Sequence, residues 1–187
     1  MTPSIGRAAE RLRAGGLVVY PTDTLYGIAA DATDWEAVEA LIRLKAAARG
    51  QPISIAVSST EEIEPLAELG DGARSYVRTH LPGPYTLLAR PSARARRELA
   101  PPIAGENPTI GIRIPDHPLA RELARVIGPI TATSANPHGS PSARSIAEAR
   151  AHFGSAVGYI DGPPRPSGIP STLVDLTGRA PRPRSRA

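Results

Sequence analysis

The tightest limit on the fold comes from Leu17-Val18-Val19-Tyr20, which runs directly into Pro21. Four apolar residues, two of them β-branched, read as a short buried strand. Proline stops it, because without an N–H it cannot continue a ladder. Thr22-Asp23-Thr24 then sets three short polar side chains where the chain must turn. After Tyr26-Gly27 and a small-residue loop, a helix is predicted toward Lys45, with Thr33 and Glu36 spaced as a capping box and Trp35, Val38, Leu41 and Ile42 on one apolar face. Hydroxyls at a strand's end and an ammonium at a helix's end can face one cleft, which is the outline of a ligand site.

The remaining pattern supplies the frame. A helix over 1–14 turns Ile5, Ala8, Ala9 and Leu12 inward and ends at Gly15-Gly16. Strands are predicted over 53–57, 85–89, 109–115 (half-buried, from its alternation), 129–133, 158–161 and 171–175. Helices are predicted over 72–80, from Asp116 or His117 to Val126, and over 146–153, with a short one capped by Ser59 or Thr60 that carries Ile63, Leu66 and Leu69. Residues 91–108 read as a loop with one turn of helix, and 134–142 as a dense cluster of turn formers. Strands and helices alternate irregularly, so the expected class is α/β: a twisted mixed sheet flanked by helices, in one domain of 187 residues. The tail APRPRSRA is either a solvated end or a basic lid over an anionic ligand.

Composition excludes several kinds of chemistry. The chain has no cysteine, so disulfides and thiolate catalysis are out. No apolar run approaches the ~20 residues of a membrane span, and the first residues lack the apolar core of a signal peptide. A cytoplasmic protein is expected. A net charge of +4 favours anionic partners. Of 22 Lys and Arg residues, Lys45 alone is lysine, which suits either a site for a compact ammonium or chance survival in an arginine-biased chain.

Phosphate-loop, dinucleotide-fingerprint, GxSxG and HExxH patterns are all absent, and the four histidines have no ligand spacing, so no metal site is expected. His117 and His138, each beside a proline, read as surface residues. What remains is a set of hydroxyl, amide and cationic groups near predicted strand ends: Thr22, Thr24, Lys45, Thr86, Thr109, Arg113, Thr131, Thr133, Ser134, Asn136, Ser142, Ser171 and Thr172. Such a set suits recognition of phosphate and carboxylate, and taken singly each Ser or Thr also suits a turn or cap. Arg113 stands apart, because an arginine between two isoleucines must be paired, face a cavity, or lie on an outward sheet face.

Six blocks in order resemble the YrdC/Sua5 family of threonylcarbamoyl-AMP synthases: PTDTLYG at 21–27, Lys45 with Pro52, LPGPYTLL at 81–88, TIGIRIPDHP at 109–118, TATSANPHGSPS at 131–142 and GIPSTLVDLTG at 168–178. The length corresponds to the short, single-domain members. The resemblance implies a deep basic cavity and a reaction of L-threonine, bicarbonate or carbon dioxide, and ATP with its Mg2+. The products would be threonylcarbamoyl-AMP, destined for tRNA through a downstream transferase, and pyrophosphate. By matching positions, Thr24, Arg113, Ala132 and Ser171 would line the threonine pocket, with Arg113 on the carboxylate. Lys45, Thr109, Ser134, Asn136 and Ser142 would meet ATP, with Lys45, Ser134 and Asn136 the catalytic motif residues.

The chain departs from the family pattern on the triphosphate side. The family's Lys-x-Arg reads Lys45-Ala46-Ala47, with Arg49 two residues on as a substitute cation. Gln51 stands where Asn or Lys is usual, and the arginine of the family's tail aligns near Ser185, flanked by Arg182, Arg184 and Arg186. Three other readings compete: a module binding tRNA, rRNA or other double-stranded RNA through phosphate contacts, a weakly active paralogue without full synthase turnover, and a nucleotide-binding regulatory domain.

Overall fold

The computed structural model describes residues 3–46, 52–105 and 107–185. The first amphipathic stretch forms helix α1, Pro3–Arg13, with Ile5, Ala9 and Leu12 fully buried. Gly15 ends it at φ +75, a conformation open to glycine. Strand β1, Val18–Tyr20, stops at Pro21 as its sequence requires. It pairs antiparallel with β2, Gly27–Ala29. Helix α2, Trp35–Lys45, is capped by Asp34, whose carboxylate accepts from the Glu36 and Ala37 N–H groups. Thr33, the expected cap, instead donates its hydroxyl to Asp31. Val38 and Leu41 are buried, whereas Trp35 is 50% exposed at the first turn rather than inward.

Strand β3, Ile55–Ala56, is shorter than expected. The apolar residues Ile63, Leu66 and Leu69 are buried, but they follow a single 3-10 turn and straddle a two-residue strand, β4, Ala67–Glu68, rather than lying on a helix. Helix α3, Asp71–His80, and strand β5, Tyr85–Pro91, agree with the pattern. The expected loop at 91–108 holds two helices, α4, Ala93–Glu98, capped by Ser92, and α5, Pro101–Ala104. Strand β6, Ile110–Arg113, is buried at every position rather than on one face.

Helix α6, Pro118–Ile127, is capped by His117, which is fully buried and not a surface residue. The Nδ1 of His117 accepts from the Leu119 N–H and its Nε2 meets the Pro164 carbonyl. The chain then makes β7, Ile130–Thr131, and β8, Thr133–Ser134, followed by α7, Ile146–Phe153, and β9, Gly158–Tyr159. It closes with β10, Thr172–Asp175, and β11, Arg182–Arg184. The tail therefore supplies a strand over 182–184.

The strands form two mixed sheets where one was expected. One has the order β8-β2-β1-β9; the other has the order β11-β10-β5-β6-β3-β7, with β4 added to β5. Ala132 alone separates β7 in the larger sheet from β8 in the smaller, so the chain changes sheets within one residue. Thr131 holds that crossing: its hydroxyl accepts from the Ala30 N–H and donates to the Ile28 carbonyl. Buried side chains of α1, β1 and α6 make one apolar cluster, those of β2, α2 and α7 another, and the larger sheet with α3 to α5 a third. The sheets' ends meet at a seam, and the site lies there.

Candidate functional site

A cavity of about 220 Å³ opens at the seam. It is lined by strand ends: Tyr20 closing β1, Gly27 opening β2, Pro52 and Ser54 before β3, Thr86 in β5, Arg113 closing β6, Ala132 to Ser134 at the crossing, and Pro170 and Ser171 before β10. Strand termini free their backbone and side chains from the ladder, which is why ligands collect there. Space is tight at Gly27 in this wall, where a Cβ would stand 3.0 Å from the Tyr20 ring and force it to shift.

The turn after Pro21 is built by Thr22. Its Oγ1 accepts from the Thr24 and Leu25 N–H groups at 3.1 and 3.2 Å and donates to the Leu25 carbonyl at 2.6 Å. That leaves Thr24 presented to Arg113, whose Nη1 donates to its Oγ1 at 3.0 Å. Arg113 Nη2 forms an ion pair with Asp23 Oδ1 at 2.6 Å, with both side chains almost out of solvent. Across the cavity Thr86 Oγ1 and Ser171 Oγ are 2.7 Å apart, both buried. Thr24, Arg113, Ala132 and Ser171, the four residues matched to an amino-acid pocket, thus share one wall system.

The residues matched to the nucleotide divide into two layers. Ser134 and Ser142 line the cavity. Lys45 and Asn136 are not in its wall but stand behind it. The Lys45 ammonium donates to the Ser134 and Asn136 carbonyls at 2.5 and 2.6 Å, and its own carbonyl accepts from the His138 N–H. Burial without a carboxylate partner brings its pKa down to about 8. The Asn136 amide donates to the Pro137 and Ser140 carbonyls, and its oxygen faces the Ser142 hydroxyl at 3.3 Å. Both side chains therefore shape the 134–142 turn that carries the two serines.

Thr109 is half-buried just before β6 and outside the cavity wall. Arg182 and Arg184 are exposed on β11, and Arg184 pairs with Asp175 at 3.0 Å. Ala47, Arg49, Gln51 and Arg186 lie outside the described residues. Sequence reasoning passed over Tyr20, Ser54 and Pro170 as wall residues and Asp23 as the partner of Arg113. Adjacency of Asp23 to Thr24 was the one available signal, since its arginine lies 90 positions away. No helix among the described residues is long and apolar enough to cross a membrane.

Comparison with known proteins places the chain among relatives of one family. The Sua5/YciO/YrdC domain model, whose description reads telomere recombination, matches residues 10–185. A Chromohalobacter salexigens protein named threonylcarbamoyl-AMP synthase is 37% identical over 174 residues, 92% of each chain. The structure of P. abyssi Sua5 complexed with L-threonine matches with a TM-score of 0.87 and 34% identity. That match covers 95% of this chain but 52% of the other, so the chain spans about half the length of that Sua5. E. coli YciO matches with a TM-score of 0.82 and 27% identity, covering 96% of this chain and 86% of its own.

Proposed function

Since the chain belongs to the Sua5/YciO/YrdC family, we propose that its seam cavity makes L-threonylcarbamoyl-AMP from L-threonine, carbon dioxide or bicarbonate, and ATP. The observation that carries this reading is the meeting in one cavity of Arg113, Thr24, Ala132 and Ser171 with Ser134 and Ser142. The first group offers a guanidinium for a carboxylate and hydroxyls for a small polar side chain. The second offers hydroxyls and turn backbone toward phosphates. The cavity is smaller than the ~300–1,000 Å³ typical of pockets that enclose a drug-sized ligand. It suits an amino acid, with the nucleotide extending beyond its mouth.

In this reading the threonine amine adds to carbon dioxide and loses a proton, giving a carbamate. A carbamate oxygen then attacks the α-phosphorus of ATP and displaces pyrophosphate. Arg113 holds the carboxylate at one end while the Ser134 turn holds the phosphates at the other, so catalysis comes from placing the two reactants in line. Among the described residues, both carboxylates bonded to lining residues, Asp23 and Asp161, already carry an arginine. Magnesium therefore enters on the triphosphate, as part of the substrate, where it offsets phosphate charge. The product is a mixed anhydride suited to a transferase that modifies tRNA, and a cytoplasmic location follows from that use. Incubation of the purified protein with the three substrates should yield threonylcarbamoyl-AMP by mass spectrometry and pyrophosphate dependent on threonine and bicarbonate. Nucleotide binding without this product would overturn the reading.

A further inference from the structure

Among the described residues, Arg113 is the one charged side chain in the cavity wall. Directly behind it stands Asp23, outside the wall and 2.6 Å from Nη2. The pair is nearly dry, with 8% of the Arg113 side chain and 13% of the Asp23 side chain exposed. Asp23 Oδ2 and Arg113 Nε are both buried without a hydrogen-bond partner. Orientation alone does not require this arrangement. Thr24 already fixes Nη1, and a neutral carbonyl could accept from Nη2 without taking a second charge out of water. What a neutral acceptor could not do is cancel the guanidinium's charge.

That cancellation matters if the cavity works beside ATP, bicarbonate and pyrophosphate, all anions that a bare buried guanidinium would bind. We propose that Asp23 is a specificity-determining residue, which offsets Arg113 and so keeps phosphate-type anions out of the amino-acid end of the cavity. The inference rests on the amino-acid reading given above. An amino acid is a zwitterion, and its ammonium compensates the field of Asp23. A phosphate carries no such group, so the same carboxylate repels it. Discrimination thus comes from a repulsive element placed behind the attractive one.

Asp23→Asn tests this, because the amide keeps the shape and an acceptor for Nη2 but removes the charge. Inorganic phosphate is the probe, titrated without ATP against L-threonine binding by calorimetry. In the wild-type protein, phosphate should leave threonine affinity unchanged. In Asp23→Asn it should compete with threonine, with an apparent affinity ~10-fold or more above that of the wild type, the equivalent of one further charge-assisted contact. Equal competition in both proteins, or none in either, overturns the proposal. If Asp23→Asn does not fold, Asp23→Ser removes the same charge with a smaller group, and phosphate competition in the wild type is by itself a refutation. Failure of the wild type to bind threonine at all would instead remove the amino-acid reading. Phosphate-dependent stabilisation in thermal unfolding, expected for the variant and not for the wild type, would still decide the role of Asp23.

Discussion

The two ends of the cavity are built in different ways. At the Arg113 end, the groups that line the cavity sit on or beside strands of the larger sheet: Arg113 closes β6, Thr86 lies within β5, and Ser171 directly precedes β10. At the Ser134 end they sit on a turn whose shape is imposed from behind by Lys45 and Asn136. Motif residues at the first end therefore line the cavity, whereas at the second end Ser134 and Ser142 line it and Lys45 and Asn136 hold the turn from behind. A pattern of matching residues marks both kinds alike, and side-chain direction separates them.

The sharpest way to break this contrast is Arg113→Ala. It deletes the wall's cation and leaves Asp23 buried without its partner, a situation that costs about 3–5 kcal/mol of stability in comparable buried pairs. Threonine affinity should fall ~100-fold or more, since a bidentate charge-assisted contact is lost. ATP affinity, measured separately by calorimetry on the folded variant, should change by less than about twofold, the usual result for sites without shared partners. A matching loss of ATP affinity would show that the two ends do not act separately.

Lys45→Met probes the turn end. The Ser134 carbonyl keeps the Asn136 N–H as a donor, but the buried Asn136 carbonyl loses the ammonium, a loss worth about 1–3 kcal/mol when a group is orphaned. The turn should loosen, raising the KM for ATP ~10-fold with threonine binding intact. The lysine also sets a pH dependence. Its pKa is 10.5 in its ordinary state and about 8 when folded, because burial disfavours the charge. Below pH 8 both states hold the proton and the contribution is flat. Between 8 and 10.5 the unfolded chain binds more protons than the folded one, so stability relative to Lys45→Met should rise with pH. Urea unfolding of both proteins at pH 7 and pH 10 measures the difference. A fall with pH would mean that the two carbonyls stabilise the ammonium more than burial penalises it.

Much of the Arg113 end of the cavity was legible because strand termination is written locally. Pro21 stops β1, Thr22 makes the turn, and Arg113 between isoleucines announces a paired or cavity-facing cation. The pairing itself was hidden, since Asp23 looks like any polar turn residue until β6 is brought alongside. The fold was read best where helical periodicity is long and clear, as in α1 and α6. It was read worst where tertiary contacts overrule local signals. Asp34 lies one residue nearer the helix than Thr33 and takes the cap. His117 is drawn inside because its two ring nitrogens find the Leu119 N–H and the Pro164 carbonyl. Asn136, in a cluster that reads simply as a turn, satisfies that turn's own carbonyls and so faces away from the cavity.

The tail gives the smallest effect and the finest test of where the nucleotide end stops. Strand β11 runs antiparallel to β10, with Arg182 opposite Asp175 and Arg184 opposite Leu173, two residues from the wall residue Ser171. The backbone thus heads toward the cavity, but the Arg184 guanidinium turns back to Asp175. Asp175 is held below the usual carboxylate range first by the Thr177 hydroxyl and N–H, and less by Arg184. The pair is exposed on its arginine side, so Arg184→Ala should cost no more than about 1 kcal/mol. As a surface ion pair alone it should also leave the KM for ATP within about threefold, a shift under the ~1.4 kcal/mol that a tenfold change represents. A tenfold rise in that KM, with threonine affinity unchanged, would move β11 from the scaffold to the nucleotide end. The arginine would then leave Asp175 when ATP binds, and the turn-built half of the cavity would extend to the last described strand.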